Sequence, residues 1–156
     1  MRMFFAAATL LVLAGCGPKY IANTKIEETP ENRAIYELVE RYRVAVEKRD
    51  VQALKEMVSM KYYEQAGTTS DDSDDYGYQQ LIEKVFPILD ENIKNVQYQI
   101  IMKDINIMPD RAYADYEYYW KFFFVEGGKE QWVEKNDFNR LEFVKEDGVW
   151  RIVKGL

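Results

Sequence analysis

At 156 residues, with 47% hydrophobic and 15% aromatic side chains, the chain is long and apolar enough to bury one sizeable core, which argues against a disordered polymer. Its formal charge of −6 and its lack of any basic stripe that could track phosphates argue against nucleic acid as a partner. It has no His and a single Cys, which removes His-based triads, imidazole zinc sites, intrachain disulfides and multi-Cys metal centres; no cofactor is implied.

The chain opens with a short basic start, Met1-Arg2-Met3, then an apolar run from Phe4 to Leu13, then the small residues Ala14 and Gly15 before Cys16. That run is too short to span a bilayer and has the layout of a signal peptide over residues 1–15. Leu13-Ala14-Gly15-Cys16 resembles the lipobox of bacterial lipoproteins. The resemblance implies cleavage between Gly15 and Cys16 and acylation of Cys16, with palmitate among the chains. The lipid bilayer would then be a partner and the cell envelope the location. Because Gly17 rather than Asp follows the Cys, it implies the periplasmic side of the outer membrane in a Gram-negative host. Residues 17–29 are polar and lack helical periodicity, so the spacing predicts a flexible tether ahead of one domain over 30–156.

Thr29-Pro30-Glu31 has the pattern of an N-cap, a first-turn proline and a first-turn acid. Ile35, Leu38, Val39, Tyr42, Ala45 and Val46 follow at three- and four-residue spacing and predict a helix with one apolar stripe. Asp50 predicts the cap of a shorter helix with Val51, Leu54, Met57 and Val58 inward, and a short strand is expected within Met60 to Gln65. The acidic stretch Asp71 to Asp75 places Asp72, Asp74 and Glu83 at calcium-loop positions, but Tyr76 and Gln79 fall where that loop needs other residues. The alternative is a solvated acidic loop that also caps the next helix, which carries Leu81, Ile82, Val85, Ile88, Leu89 and Ile93 and should kink or split at Pro87.

From Val96 onward the period changes to two. Val96, Tyr98, Ile100 and Met102 share one face, while Ile105 and Ile107 have the opposite parity, so a bulge is expected near Asp104, with Lys103 opposite Asp115. Two long aromatic runs then flank Gly127-Gly128, a two-residue hairpin signal. Pairing outward sets Lys121 against Glu134, Asp115 against Arg140, Phe123 against Trp132 and Ala114 against Leu141, so charges meet opposite charges and apolar groups meet apolar groups. A last hairpin at Asp147-Gly148 sets Phe143 against Ile152.

Parity through these strands gives an inner face that includes Tyr98, Tyr116, Tyr118 and Trp120, with Lys135, Asp137 and Asn139 as its polar members. Those seven residues are the candidate pocket lining. Three readings stay open for the polar ones: a cavity wall, a buried satisfied cluster, or a sheet end running past the helices into water. On the outer face Tyr113, Tyr119, Phe123, Trp132 and Phe138 leave apolar area among charges, which suits a second copy or an envelope protein partner.

N-terminal helices followed by a bulged antiparallel meander give an α+β fold class. The Lys48-Arg49-Asp50-Val51 turn and the terminal run from Arg140 through Asp147-Gly148-Val149-Trp150-Arg151-Ile152-Val153 resemble the nuclear-transport-factor-2-like superfamily, over about residues 31 to 154. The resemblance implies a cone in which a strongly curved sheet wraps a helix-closed pocket. That superfamily includes ketosteroid isomerases, dehydratases and polyketide cyclases as well as binding and accessory domains, so fold leaves function open. In the isomerases the base is an acid on the strand after the second helix. Glu64 lies in that region, and Asp137 beside Tyr118 is the other candidate base, provided that its pKa is raised. The His used by cyclases and dehydratases is absent. The expectation is an envelope lipoprotein binding a small apolar or aromatic ligand or serving as an accessory subunit. The alternatives are an isomerase-type enzyme or a purely structural domain.

Overall fold

A computed structural model describes residues 17–65, 74–91, 93–126 and 129–156. Gly15, Cys16, Asp72 and the Gly127-Gly128 turn lie outside the described residues. Helix α1 (Pro30–Lys48) starts where the sequence predicts, with the Thr29 hydroxyl accepting from the Asn32 amide at 3.1 Å. All six residues of the predicted stripe are buried. Its last turn closes at Arg49 in the left-handed region, and Asp50 caps α2 (Val51–Met57) by accepting from the Ala53 amide at 3.0 Å. Leu54, Met57 and Val58 point into the core, whereas Val51 is only half-buried.

Two short strands, β1 (Tyr63–Glu64) and β2 (Tyr76–Gly77), pair antiparallel. A helical run follows in three pieces: α3 (Tyr78–Gln80), a π-helical turn (Leu81–Val85) and α4 (Phe86–Glu91). Pro87 accounts for the widened turn. A proline ring crowds the carbonyl four residues back and supplies no amide, and the run accommodates it with a looser turn in which the Phe86 amide donates to the Leu81 carbonyl. The helix therefore continues through Pro87 rather than splitting.

Four long strands make the main sheet in the order β3 (Ile93–Ile107), β4 (Arg111–Glu126), β5 (Lys129–Glu146), β6 (Val149–Lys154), each pair antiparallel. The β4–β5 register has every pairing expected from the sequence, including Lys121 with Glu134, Asp115 with Arg140 and Phe123 with Trp132. Phe143 faces Ile152 across a turn in which Asp147 and Gly148 both take positive φ, 49° and 82°, the requirement of the tight hairpin turn that matches strand twist.

Two expectations need correction. The bulge in β3 lies one residue earlier than expected: Lys103 is the extra residue, so Asp104 rather than Lys103 stands opposite Asp115. The acid pair is tolerated because both carboxylates are engaged elsewhere. Asp104 accepts from the Ile105 amide at 2.9 Å, Asp115 takes both arms of Arg140 at 2.6 and 2.8 Å, and the displaced Lys103 reaches Glu117 at 2.7 Å. The shift still restores parity, with Ile105 buried and Ile107 opposite Ala112.

The second correction concerns the tether. Residues 20–27 form a tight hairpin, with Tyr20 bridged to Glu27 and the Ile21 amide donating to the Ile26 carbonyl at 2.9 Å. Asn23, at φ 63°, turns the chain, the Thr24 hydroxyl donates to the Ile21 carbonyl at 2.8 Å, and Asn32 of α1 holds the Glu27 carbonyl at 2.9 Å. Ile21 is 1% exposed and Ile26 4%, so both belong to the core. Two isoleucines separated by a turn bury more apolar surface than a solvated linker would leave in water, which is why this segment packs.

Candidate functional site

Helix α1 crosses the sheet and places Tyr42 and Val46 over its inner face, where β3 contributes Ile93 and Tyr98 and β4 contributes Trp120. Leu54 of α2 and Leu81, Val85, Phe86, Ile88 and Leu89 of the π turn and α4 close the other walls, and Leu156 completes the lining. The half-open cavity has a volume of about 210 Å³. At the packing density of a protein interior that space holds about ten non-hydrogen atoms. Val85 and Ile88 are exposed on their outer sides and form an apolar mouth.

The wall is mostly carbon. Tyr42 and Tyr98 meet edge to face at 5.9 Å, and Tyr98 meets Trp120 at the same distance. The phenols of Tyr42, Tyr98 and Tyr116 influence one another's titration, and Asn139 Nδ2 donates to the Tyr116 hydroxyl at 3.0 Å. Burial is the main reason that all three phenols are pushed above their ordinary range, so they are neutral donors at physiological pH. Trp120 Nε1 is also closed off from water but has no hydrogen-bond partner.

A larger concavity, about 580 Å³, lies between α1, α2 and β6 and is rimmed by Glu40, Arg41, Lys48, Asp50, Glu56 and Arg151. The smaller cavity, dry-walled and set on the inner sheet face, is the better candidate for a specific small ligand.

Of the seven residues expected to line a pocket, Tyr98 and Trp120 line this cavity. Tyr116 and Asn139 stand behind it, and Tyr118 packs on Tyr98 and Tyr116 at 6.0 and 6.3 Å. Lys135 and Asp137 do not line it. They face Trp120 and Tyr118 in register as predicted, but β4 and β5 run past the helices, leaving the two side chains 58% and 51% exposed in a 3.1 Å ion pair. The ammonium of Lys135 sits over the Tyr118 ring at 5.8 Å. The Asp137 carboxyl is held below the usual carboxylate range, first by the Phe138 amide and then by Lys135, the opposite of what a proton-abstracting base needs.

Glu64 is committed to structure. Its carboxylate accepts from the Gly155 amide at 2.6 Å and from the Tyr62 hydroxyl at 3.2 Å. The Tyr62 hydroxyl accepts from the Leu156 amide, the Tyr76 hydroxyl donates to the Leu156 carbonyl and Asn139 Nδ2 donates to the Gly155 carbonyl, at 3.2, 3.2 and 2.9 Å. Four side chains thus pin the Gly155-Leu156 strap, which brings Leu156 against the cavity. Gly155 sits at φ 96°, where an added Cβ would lie 2.1 Å from the Arg140 carbonyl oxygen, so only glycine fits. The cavity roof at Leu81, Phe86 and Leu89 and the strap were not among the sequence candidates; the Pro87 irregularity beside Ile88 and Leu89 was the available signal.

Among the described residues no three acidic or Cys side chains gather as a metal site. Glu83 is exposed and accepts from Gln79 at 3.1 Å, while Asp72 lies outside the described residues. On the outer sheet face Trp132 and Phe138 are 55% and 70% exposed, with Lys121 and Lys103 over their rings at 5.2 and 5.9 Å. Among the described residues no helix is long and apolar enough to cross a membrane.

No family model matches the sequence, and no curated protein does. Solved structures do match in shape. A conserved protein from Planctomyces limnophilus superposes with a TM-score of 0.66 at 17% identity, covering 80% of this chain and 92% of its own. A nuclear transport factor 2-like superfamily protein from Salmonella enterica gives 0.64 at 16% identity, over 79% and 86% of the two chains. A protein from Shewanella frigidimarina described as a candidate ketosteroid isomerase gives 0.61 at 13% identity, over 78% and 92%. At these identities the likeness speaks for architecture alone, and the helices on a bulged four-stranded meander agree with it: the chain has the nuclear-transport-factor-2-like fold.

Proposed function

We propose that this chain is a cell-envelope lipoprotein, anchored through acylated Cys16, whose cavity binds a small, mostly apolar ligand of about ten non-hydrogen atoms. The observation that carries the binding reading is the half-open, carbon-walled space of about 210 Å³ with an apolar mouth at Val85 and Ile88. Binding fits better than proton abstraction because the cavity wall offers neutral phenols and an indole, while Asp137 is solvated and Glu64 holds the strap. The anchoring reading rests on Arg2, the apolar run Phe4 to Leu13 and Leu13-Ala14-Gly15-Cys16.

Indane, a nine-carbon hydrocarbon, tests the cavity. It should raise the melting temperature of the wild type in a saturable way and leave Leu89→Trp, whose added ring fills the space, unaffected. Equal shifts in both proteins would place the hydrocarbon elsewhere. A clickable fatty-acid analogue tests the anchor in cells: the wild type should be labelled and Cys16→Ser should not. The exposure of Trp132 and Phe138 favours a second role, contact with a protein partner through the outer face of β4 and β5.

A further inference from the structure

The edge of β5 away from β4 is open over most of its length. Among the described residues β6 pairs only with Glu142 to Glu146, so from Lys129 to Leu141 the strand has β4 on one side and no strand on the other. The Phe138 amide points to that open edge, where it donates to the neighbouring Asp137 carboxylate at 2.9 Å instead of to a strand. Alternation along the strand puts the backbone groups of Trp132, Glu134 and Asn136 on the same side. Such a row is a template for a further strand. Trp132 and Phe138, both exposed and on the same sheet face, make a second copy of this chain the matching partner. With two β5 edges antiparallel about an axis at residue 135, Trp132 of each copy faces Phe138 of the other, and Glu134 faces Asn136. The two inner-face charges oppose that register. Lys135 would meet Lys135 of the second copy at the position where paired strands bring side chains closest. Asp137 would have to release the Phe138 amide and lie against Val133 of the second copy.

We propose that the free edge of β5 is a latent pairing surface for a second copy of this chain, and that Lys135 and Asp137 hold it shut. Asp137 occupies the Phe138 amide, and the 3.1 Å ion pair with Lys135, whose ammonium lies over the Tyr118 ring at 5.8 Å, fixes both side chains at the edge. Beyond them the edge is closed by Asn139, whose Oδ1 accepts from the Arg140 amide at 2.8 Å while its Nδ2 donates to the Gly155 carbonyl at 2.9 Å. The closure therefore runs from Lys135 to the strap. It gives a role to the two charged residues of the inner sheet face that neither line the cavity nor supply a base. Charges pointing to the inner face of an edge strand deter pairing because a second strand would desolvate them. Joining two β5 edges uses up both, so release of the guard yields a closed dimer and not a filament.

The test is made in the Cys16→Ser chain, which has no other thiol and no site for acylation. Lys135→Val combined with Asp137→Val should double the sedimenting mass relative to the parent chain at the same concentration. Adding Glu134→Pro removes one edge amide without touching the β4 ladder and should restore the parent mass. A separate chain carrying Lys135→Cys and Asp137→Val should form a disulfide-linked dimer on mild oxidation, because the axis brings the two Cα atoms to about 4.5 Å, within disulfide reach. That cross-link reads the register directly and does not depend on how the proline variant folds. An unchanged mass in the double valine variant would overturn the proposal, as would a doubled mass that survives Glu134→Pro or a failure of residue 135 to cross-link.

Discussion

Glu64 shows how a residue of catalytic type can be absorbed by structure. Its carboxylate accepts from the Gly155 amide and the Tyr62 hydroxyl, and the strap so held carries Leu156 to the cavity wall. Glu64→Ala leaves a part-buried amide and hydroxyl without this acceptor, so we expect it to lower stability by about 1–3 kcal/mol, read as a drop in the urea midpoint. An unchanged midpoint would mean that the strap is not held through this carboxylate. Sequence alone could place Glu64 near a base position and Asp137 on the inner face, because both statements follow from chain order and parity. It could not show what each carboxylate touches. The partners of Glu64 lie at Gly155, far along the chain, and the exposure of Asp137 depends on how far β4 and β5 outrun the helices, which alternation along one strand does not encode.

Among the elements, those specified by local chemistry were readable and those specified by packing were not. The caps at Thr29 and Asp50, the stripe of α1 and the β4–β5 register follow from side chains within a few residues or directly across a ladder. The bulge was visible as a phase change but misplaced by one residue, since the choice between Lys103 and Asp104 depends on Arg140 and Glu117 on neighbouring strands. The hairpin at residues 20–27 went unseen because its two isoleucines are too few to make a period. It supplies the element-scale prediction: Ile21→Ala should destabilise the protein by about 2–5 kcal/mol, as expected for a fully buried isoleucine, whereas a loose linker would show no change in a thermal or urea melt.

For the whole molecule, the sheet and α1 enclose a core, and the π turn and α4 leave a gap beside it rather than filling it. A packed interior seldom leaves so large an apolar space without a use, and here the space is bordered by an irregular helix and a pinned strap, both placed where a ligand would enter or be retained. If Cys16 is acylated, the short connection to the buried hairpin at Ile21 would keep the folded domain close to the bilayer surface. The central claim is that the cavity is a ligand site, and the most direct measurement is a crystal of the soluble domain soaked with 5-bromoindane. The account predicts a single bromine anomalous peak between Leu81, Leu89 and Trp120; a peak only on the exposed faces of Trp132 or Phe138, or none at all, would contradict it.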